Sequence, residues 1–146
     1  MLQLPYDFVV ALPVAHNEVL DFTLQDWERF TGAGLKQVDL DPGQVGRAIA
    51  HRSQHTKLTA EDCFSLVLVE DLKNSILLTG DAELRNIATS KGCEVHGVIW
   101  VADEVHGGGL MNNLKLAKCL EAWLDDPLVR LPAGQLTSRL KVLTKK

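Results

Sequence analysis

A chain of 146 residues, 46% of them hydrophobic, is long enough to bury a sizeable core, and a single domain over residues 1–146 is expected. Its formal net charge of -4 excludes a strongly basic nucleic-acid binder, so any contact with nucleic acid must run through a local patch or a metal ion. Cys63, Cys93 and Cys119 show no paired spacing, which speaks against a disulfide scaffold or a zinc site and suits a reducing cytoplasm.

Phe8 to Leu12 is a short β-prone run that Pro13 stops, and it predicts a buried strand. Val14 to Phe30 carries Val19, Leu20, Leu24, Trp27 and Phe30 near helical spacing, and predicts one helix closed by Gly32 and Gly34. Leu35 to Leu40 alternates and predicts a short strand. Asp41-Pro42 then opens a helix over Gly43 to Ser53, with Pro at N1, and His51 to Lys57 reads as a polar connector. Cys63 to Leu72 is apolar on most faces, which predicts a central helix opened by Thr59 to Asp62. Ile76 to Leu78 predicts a buried strand and Asp81 to Ser90 a helix, closed by Lys91-Gly92. Glu94 to Ala102 predicts another strand, followed by a loop through Asp103 to Val105 and Gly107 to Gly109. Helices over Leu110 to Leu124 and Gln135 to Leu143 complete the chain, separated by an extended stretch from Pro127 to Pro132. No apolar run approaches the ~20 residues of a membrane helix, and the N-terminal stretch, with Asp7 and no basic region, is unlike a signal peptide.

Strands that alternate with helices predict an α/β layered fold with a largely parallel sheet, whose sites form beyond the carboxyl ends of the strands. Asp81 lies at such an end. It reads either as the N-cap of the next helix or as a metal ligand. Asp62 stands third after Thr59, as in a capping box with Asp in the usual Glu position, yet it directly precedes the strand that leads to Asp81. Glu18 follows the first strand, as a first-turn acid favoured by the helix dipole or as a third ligand; Glu61 reads as a dipole acid only. Three acids near strand ends and helix starts make metal-assisted phosphodiester cleavage a candidate chemistry, because Mg²⁺ and Mn²⁺ prefer hard oxygen ligands. His51-Arg52 and Lys57 either line the mouth of such a site and hold phosphates or form a solvated connector. The histidines show no metal-ligand spacing, and Gly107-Gly108-Gly109 lacks the Lys-Ser/Thr of a phosphate loop.

Residues 58–105, LTAEDCFSLVLVEDLKNSILLTGDAELRNIATSKGCEVHGVIWVADEV, resemble the second half of a PIN domain: an acid opening a helix, an apolar strand, LLTGD-x-x-LR-x-x-A, and a strand of the G-V-x-G-x-x-W kind. YDFVVALPVAHNEVL, residues 6–20, resembles that family's second strand and the helix with an early Glu. The resemblance implies a three-layer α/β/α fold with a largely parallel central sheet, and Mg²⁺- or Mn²⁺-dependent ribonuclease activity. It further implies a VapC-like toxin of a type II toxin–antitoxin pair, acting on RNA in the cytoplasm, neutralised by a small antitoxin protein and able to form a homodimer, with no membrane role. Carried over by position, the metal and catalytic acids are Glu18, Asp62 and Asp81, with Arg85 near the site beside Arg52 and Lys57.

The family's usual first strand, ending in a further Asp, has no counterpart ahead of MLQLPYDF, so the fold is expected to be N-terminally truncated. That strand would lie mid-sheet, and without it two unpaired edges and an exposed apolar groove are expected. A start set too late, a shortened chain and completion by a partner chain all fit. The rival function is a catalytically impaired PIN-like protein-binding module whose acids are caps. A response-regulator receiver is disfavoured, since neither an acid pair at the first strand nor a Lys after a late strand is visible.

Overall fold

In a computed structural model, residues 1–145 are described. The chain divides into two compact units, Leu2–Val98 and a second that takes in Ile99 onward with Met1.

The first unit contains every strand of the described residues. β1 (Val9–Ala11) runs into α1 (Leu12–Asn17), then α2 (Leu24–Gly32), β2 (Lys36–Val38), α3 (Pro42–Gln54), α4 (Ala60–Asp71), β3 (Ile76–Leu78), α5 (Ala82–Ser90) and β4 (Glu94–His96). β1 pairs with β2 in parallel, Val9 opposite Lys36 and Ala11 opposite Val38. β3 pairs with β4 in parallel, Ile76 opposite Glu94 and Leu78 opposite His96. Parallel strands joined through helices give the α/β/α layering expected. The two pairs are not hydrogen-bonded to each other, and no described strand stands between them, where the resemblance puts the family's first strand.

α4 organises this unit. Its first turn is fixed by Thr59, whose hydroxyl accepts the Asp62 N–H while the Asp62 carboxylate accepts the Thr59 N–H. Beyond that turn its sequence has almost no polar face, so it can only be central, and it packs on β1, β3, α1 and α3. Cys63, Leu66 and Val67 are wholly buried, in one core with Ala11, Leu77, Leu84 and Ala88. These side chains are covered, so the apolar face of α4 is not left open. α3 is tied to the far end of α4 by polar contacts, Arg47 Nη1 to Asp71 Oδ1 at 2.6 Å and His51 Nε2 to Glu70 Oε1 at 2.6 Å. His51 and Arg52 thus lie in the last turn of a helix and not in a connector.

Two expected elements are corrected. The single helix over Val14 to Phe30 is broken into α1 and α2, because Thr23 and Asp26 form a second capping box that starts a new helix. The strand over Glu94 to Ala102 stops at His96, and α6 (Val98–Gly107) replaces both its second half and the expected loop. Val101, Ala102 and Val105 recur at helical spacing and are all buried, so tertiary burial overrides the β propensity of Val98-Ile99-Trp100-Val101.

The second unit consists of most of α6 with α7 (Asn113–Asp125) and α8 (Ala133–Leu143). Ala102, Leu116, Ala117, Leu120, Leu136 and Leu143 form its core. Arg139 clamps Asp103 through two hydrogen bonds of 2.6 Å. No helix of the described residues is long and apolar enough to cross a membrane.

Candidate functional site

The acids lie on the first unit. Glu18 is the C-cap of α1, and its backbone N–H returns to the Val14 carbonyl at 3.1 Å. Its side chain reaches across the chain, where Oε1 accepts a long hydrogen bond, 3.5 Å, from the Thr59 hydroxyl. Next to it, Asn17 Nδ2 donates to Glu61 Oε1 at 3.3 Å. The end of α1 is thereby held over the first turn of α4. Asp62 uses Oδ2 to accept the Thr59 N–H at 2.9 Å, and its other oxygen has no hydrogen bond among the described residues. Thr59 thus joins both carboxylates, one through its amide and one through its hydroxyl.

The electrostatics agree with this placement. The Glu18 carboxyl is raised above its ordinary value, first by burial, then by the negative charges of Asp62 and of Glu61; the Thr59 hydroxyl works in the opposite direction. Glu18 therefore feels the charges of two other carboxylates at the α1–α4 junction, with no Lys or Arg among the causes of its shift.

Asp81 is placed differently. It is exposed, caps α5 by accepting the Leu84 N–H at 2.7 Å, and donates its own N–H to Thr79 Oγ1 at 3.1 Å. It is not among the groups acting on Glu18. The chain therefore brings Glu18 and Asp62 together, with Glu61 beside them, while Asp81 stands at the carboxyl end of β3. Among the described residues no group of three or more His, Cys, Asp and Glu side chains is arranged to hold a metal ion. Were a hard cation held here, Glu18 and Asp62 are the carboxylates that would hold it, the rest of its shell coming from water and phosphate oxygens.

Of the basic residues, Arg52 donates Nη1 to the Leu58 carbonyl at 3.3 Å, immediately before Thr59. Arg85 donates Nη2 to the Thr79 carbonyl at 3.2 Å, immediately before the Asp81 turn. Lys57 is exposed in the loop between α3 and α4. Asp62 and Asp81, but not Glu18, thus each have one arginine anchored to the backbone leading into them.

Two residues escaped the sequence reading. Thr59 was legible as a cap, but its grip on Glu18 spans the chain from α1 to α4 and leaves no trace in local spacing. Glu61, read only as a dipole acid, also raises the Glu18 carboxyl. A family model described as "DUF3368: PIN domain" matches residues 13–145. No curated protein and no solved structure matches the chain.

Proposed function

The chain belongs to the PIN-domain family, and from that premise we propose that it is a Mg²⁺- or Mn²⁺-dependent ribonuclease, the toxin of a type II toxin–antitoxin pair acting in the cytoplasm. The observation that carries the reading is the convergence of Glu18 and Asp62 on Thr59, with the Glu18 carboxyl raised by burial and by like charge that no basic side chain offsets. Such a pair is a natural seat for a divalent cation. In this reading Glu18 and Asp62 hold the ion, and Asp81, at the carboxyl end of β3, is the third acid. When bound, the ion supplies an activated water and neutralises charge on the phosphodiester. Arg85, Arg52 and Lys57 hold the flanking phosphates and set the register of the strand without reading its bases.

A protein partner is supported by the surface of α2. It contains no buried residue, and Leu20, Phe22 and Leu24 are exposed around it, an apolar patch of the kind that marks interaction sites, whether for an antitoxin or a second copy.

Asp62→Asn and Asp81→Asn test the nuclease directly. Asn keeps a side-chain oxygen for both cap bonds, so the fold persists while the anionic ligand is lost. Each variant is expected to abolish Mn²⁺-dependent cleavage of single-stranded RNA, and full cleavage by either removes that residue from the site. A second reading, a PIN-like binding module without catalysis, is favoured by the lack of a three-acid group among the described residues. Calorimetric titration with Mn²⁺ separates the two: a folded chain that takes up no Mn²⁺ is the binding module.

A further inference from the structure

Gly97 links β4 to α6, and its φ is not in the left-handed region, so the backbone there would accept any residue. Space would not. A Cβ on Gly97 would lie 3.1 Å from Arg85 Nη2 and 3.7 Å from the Thr79 carbonyl oxygen. The same Nη2 donates to that carbonyl at 3.2 Å. Thr79 in turn donates its N–H to the His96 carbonyl at 3.0 Å and takes the Asp81 N–H on its hydroxyl. Thr79 therefore ties together the strand pair, the acid's turn and the arginine, and the missing side chain of Gly97 is what leaves the guanidinium its place.

We infer that Gly97 is a positioning residue: lacking a Cβ, it lets Arg85 lay its guanidinium across the carboxyl ends of β3 and β4, one helical turn from Asp81, where it binds a phosphate of the nucleic acid. This rests on the ribonuclease reading for the identity of the anion. Arg85 uses one of its five N–H donors on Thr79, a geometry that leaves the rest of the planar fork for a phosphate, and anchoring one end holds it oriented. A Lys or an unanchored Arg at this position would offer charge without direction.

The test is a double-mutant cycle on the full chain, read as the Kd for a short fluorescein-labelled single-stranded RNA with EDTA present to prevent cleavage. Gly97→Val is expected to weaken binding about tenfold, the loss of one oriented charge-assisted contact, and Arg85→Ala by a similar factor. The double variant should be no weaker than either single one. Losses that multiply, or wild-type affinity in Gly97→Val, overturn the inference. A merely structural role would move the melting temperature and would be felt equally with and without Arg85. Should Gly97→Val fail to fold, Gly97→Ala is used, with a smaller loss expected in the same pattern, since the guanidinium tip can give by a few tenths of an ångström. A parent chain that binds no RNA in EDTA moves the test to inorganic phosphate, and one that also cleaves none in Mn²⁺ defeats the ribonuclease reading. The inference is then decided with inorganic phosphate on the Arg85 Nε–H resonance: a shift in the parent that the Gly97 variant lacks upholds the site, and no shift removes it.

Discussion

The two parallel strand pairs hand over to their helices in different ways. β3 gives way to Thr79-Gly80, and Asp81 at once takes up a free N–H of α5 in a 2.7 Å bond. β1 runs straight into α1, with Pro13 in the first turn, and the acid that matters stands at the far end of that helix and reaches over to Thr59 on α4. Asp81 is occupied by its own turn. Glu18 is occupied by nothing stronger than a 3.5 Å contact and sits among like charges. An acid whose hydrogen bonds are local and satisfied is explained by folding alone. An acid gathered with other acids across the chain is not, and this makes the α1–α4 junction, more than the end of β3, the centre of the candidate site.

The largest expected effect concerns what the two pairs share. Both pack on α4, so Leu66→Ala, at a wholly buried position, should destabilise the chain by about 2–5 kcal/mol. Urea unfolding followed by circular dichroism gives the magnitude. Amide exchange gives the comparison: protection in β1–β2 and in β3–β4 should fall together, and loss in one pair alone would show them to be independent.

A smaller effect separates cap from carboxylate at the end of β3. Asp81→Ala removes the bond to the Leu84 N–H and should destabilise by about 1 kcal/mol, whereas Asp81→Asn, as good a cap, should stay near the parent in thermal unfolding. Equal loss in both would mean that the charge of Asp81, and not its hydrogen bond, matters to the fold, and the contrast with Glu18 would collapse.

What the sequence revealed follows from the range of each interaction. Ile76–Leu78, the Asp41-Pro42 opening of α3 and the Thr59–Asp62 box are set by neighbours in the chain, and spacing reveals them. The break before α2 was equally local, written in Thr23 and Asp26, but the apolar rhythm of Val14 to Phe30 outweighed it. α6 was hidden, because Val98-Ile99-Trp100-Val101 is β-prone by composition and helical only through burial of Val101, Ala102 and Val105. At the site, the three acids came from motif and position. Their grouping did not, since Glu18 meets Asp62 through Thr59, a contact between helices that no one-dimensional spacing encodes. Gly97 was legible only as the glycine of the V-x-G-x-x-W stretch; that it stands against Arg85, on another element, was not.

The finest test bears on Glu18 itself. Its carboxyl is raised from an ordinary value of 4.5 by burial, then Asp62, then Glu61, so the folded chain holds that proton more tightly than the unfolded one. Well below the ordinary value both states are protonated and the group adds nothing to pH dependence. As pH rises through it, the unfolded chain ionises first, and native stability falls until Glu18 has ionised in the fold as well. Glu18→Gln escapes this loss. It should match the parent in acid and be more stable at neutral pH, by less than about 1 kcal/mol because the group is only partly withdrawn from water and its charge is screened. Mn²⁺ should act in the opposite sense, raising the melting temperature of the parent and not that of the variant, since a cation relieves the repulsion that Gln has already removed. A Glu18→Gln chain that is less stable than the parent at neutral pH would show that the Thr59 contact outweighs the repulsion, and Glu18 would then be, like Asp81, an acid accounted for by the fold.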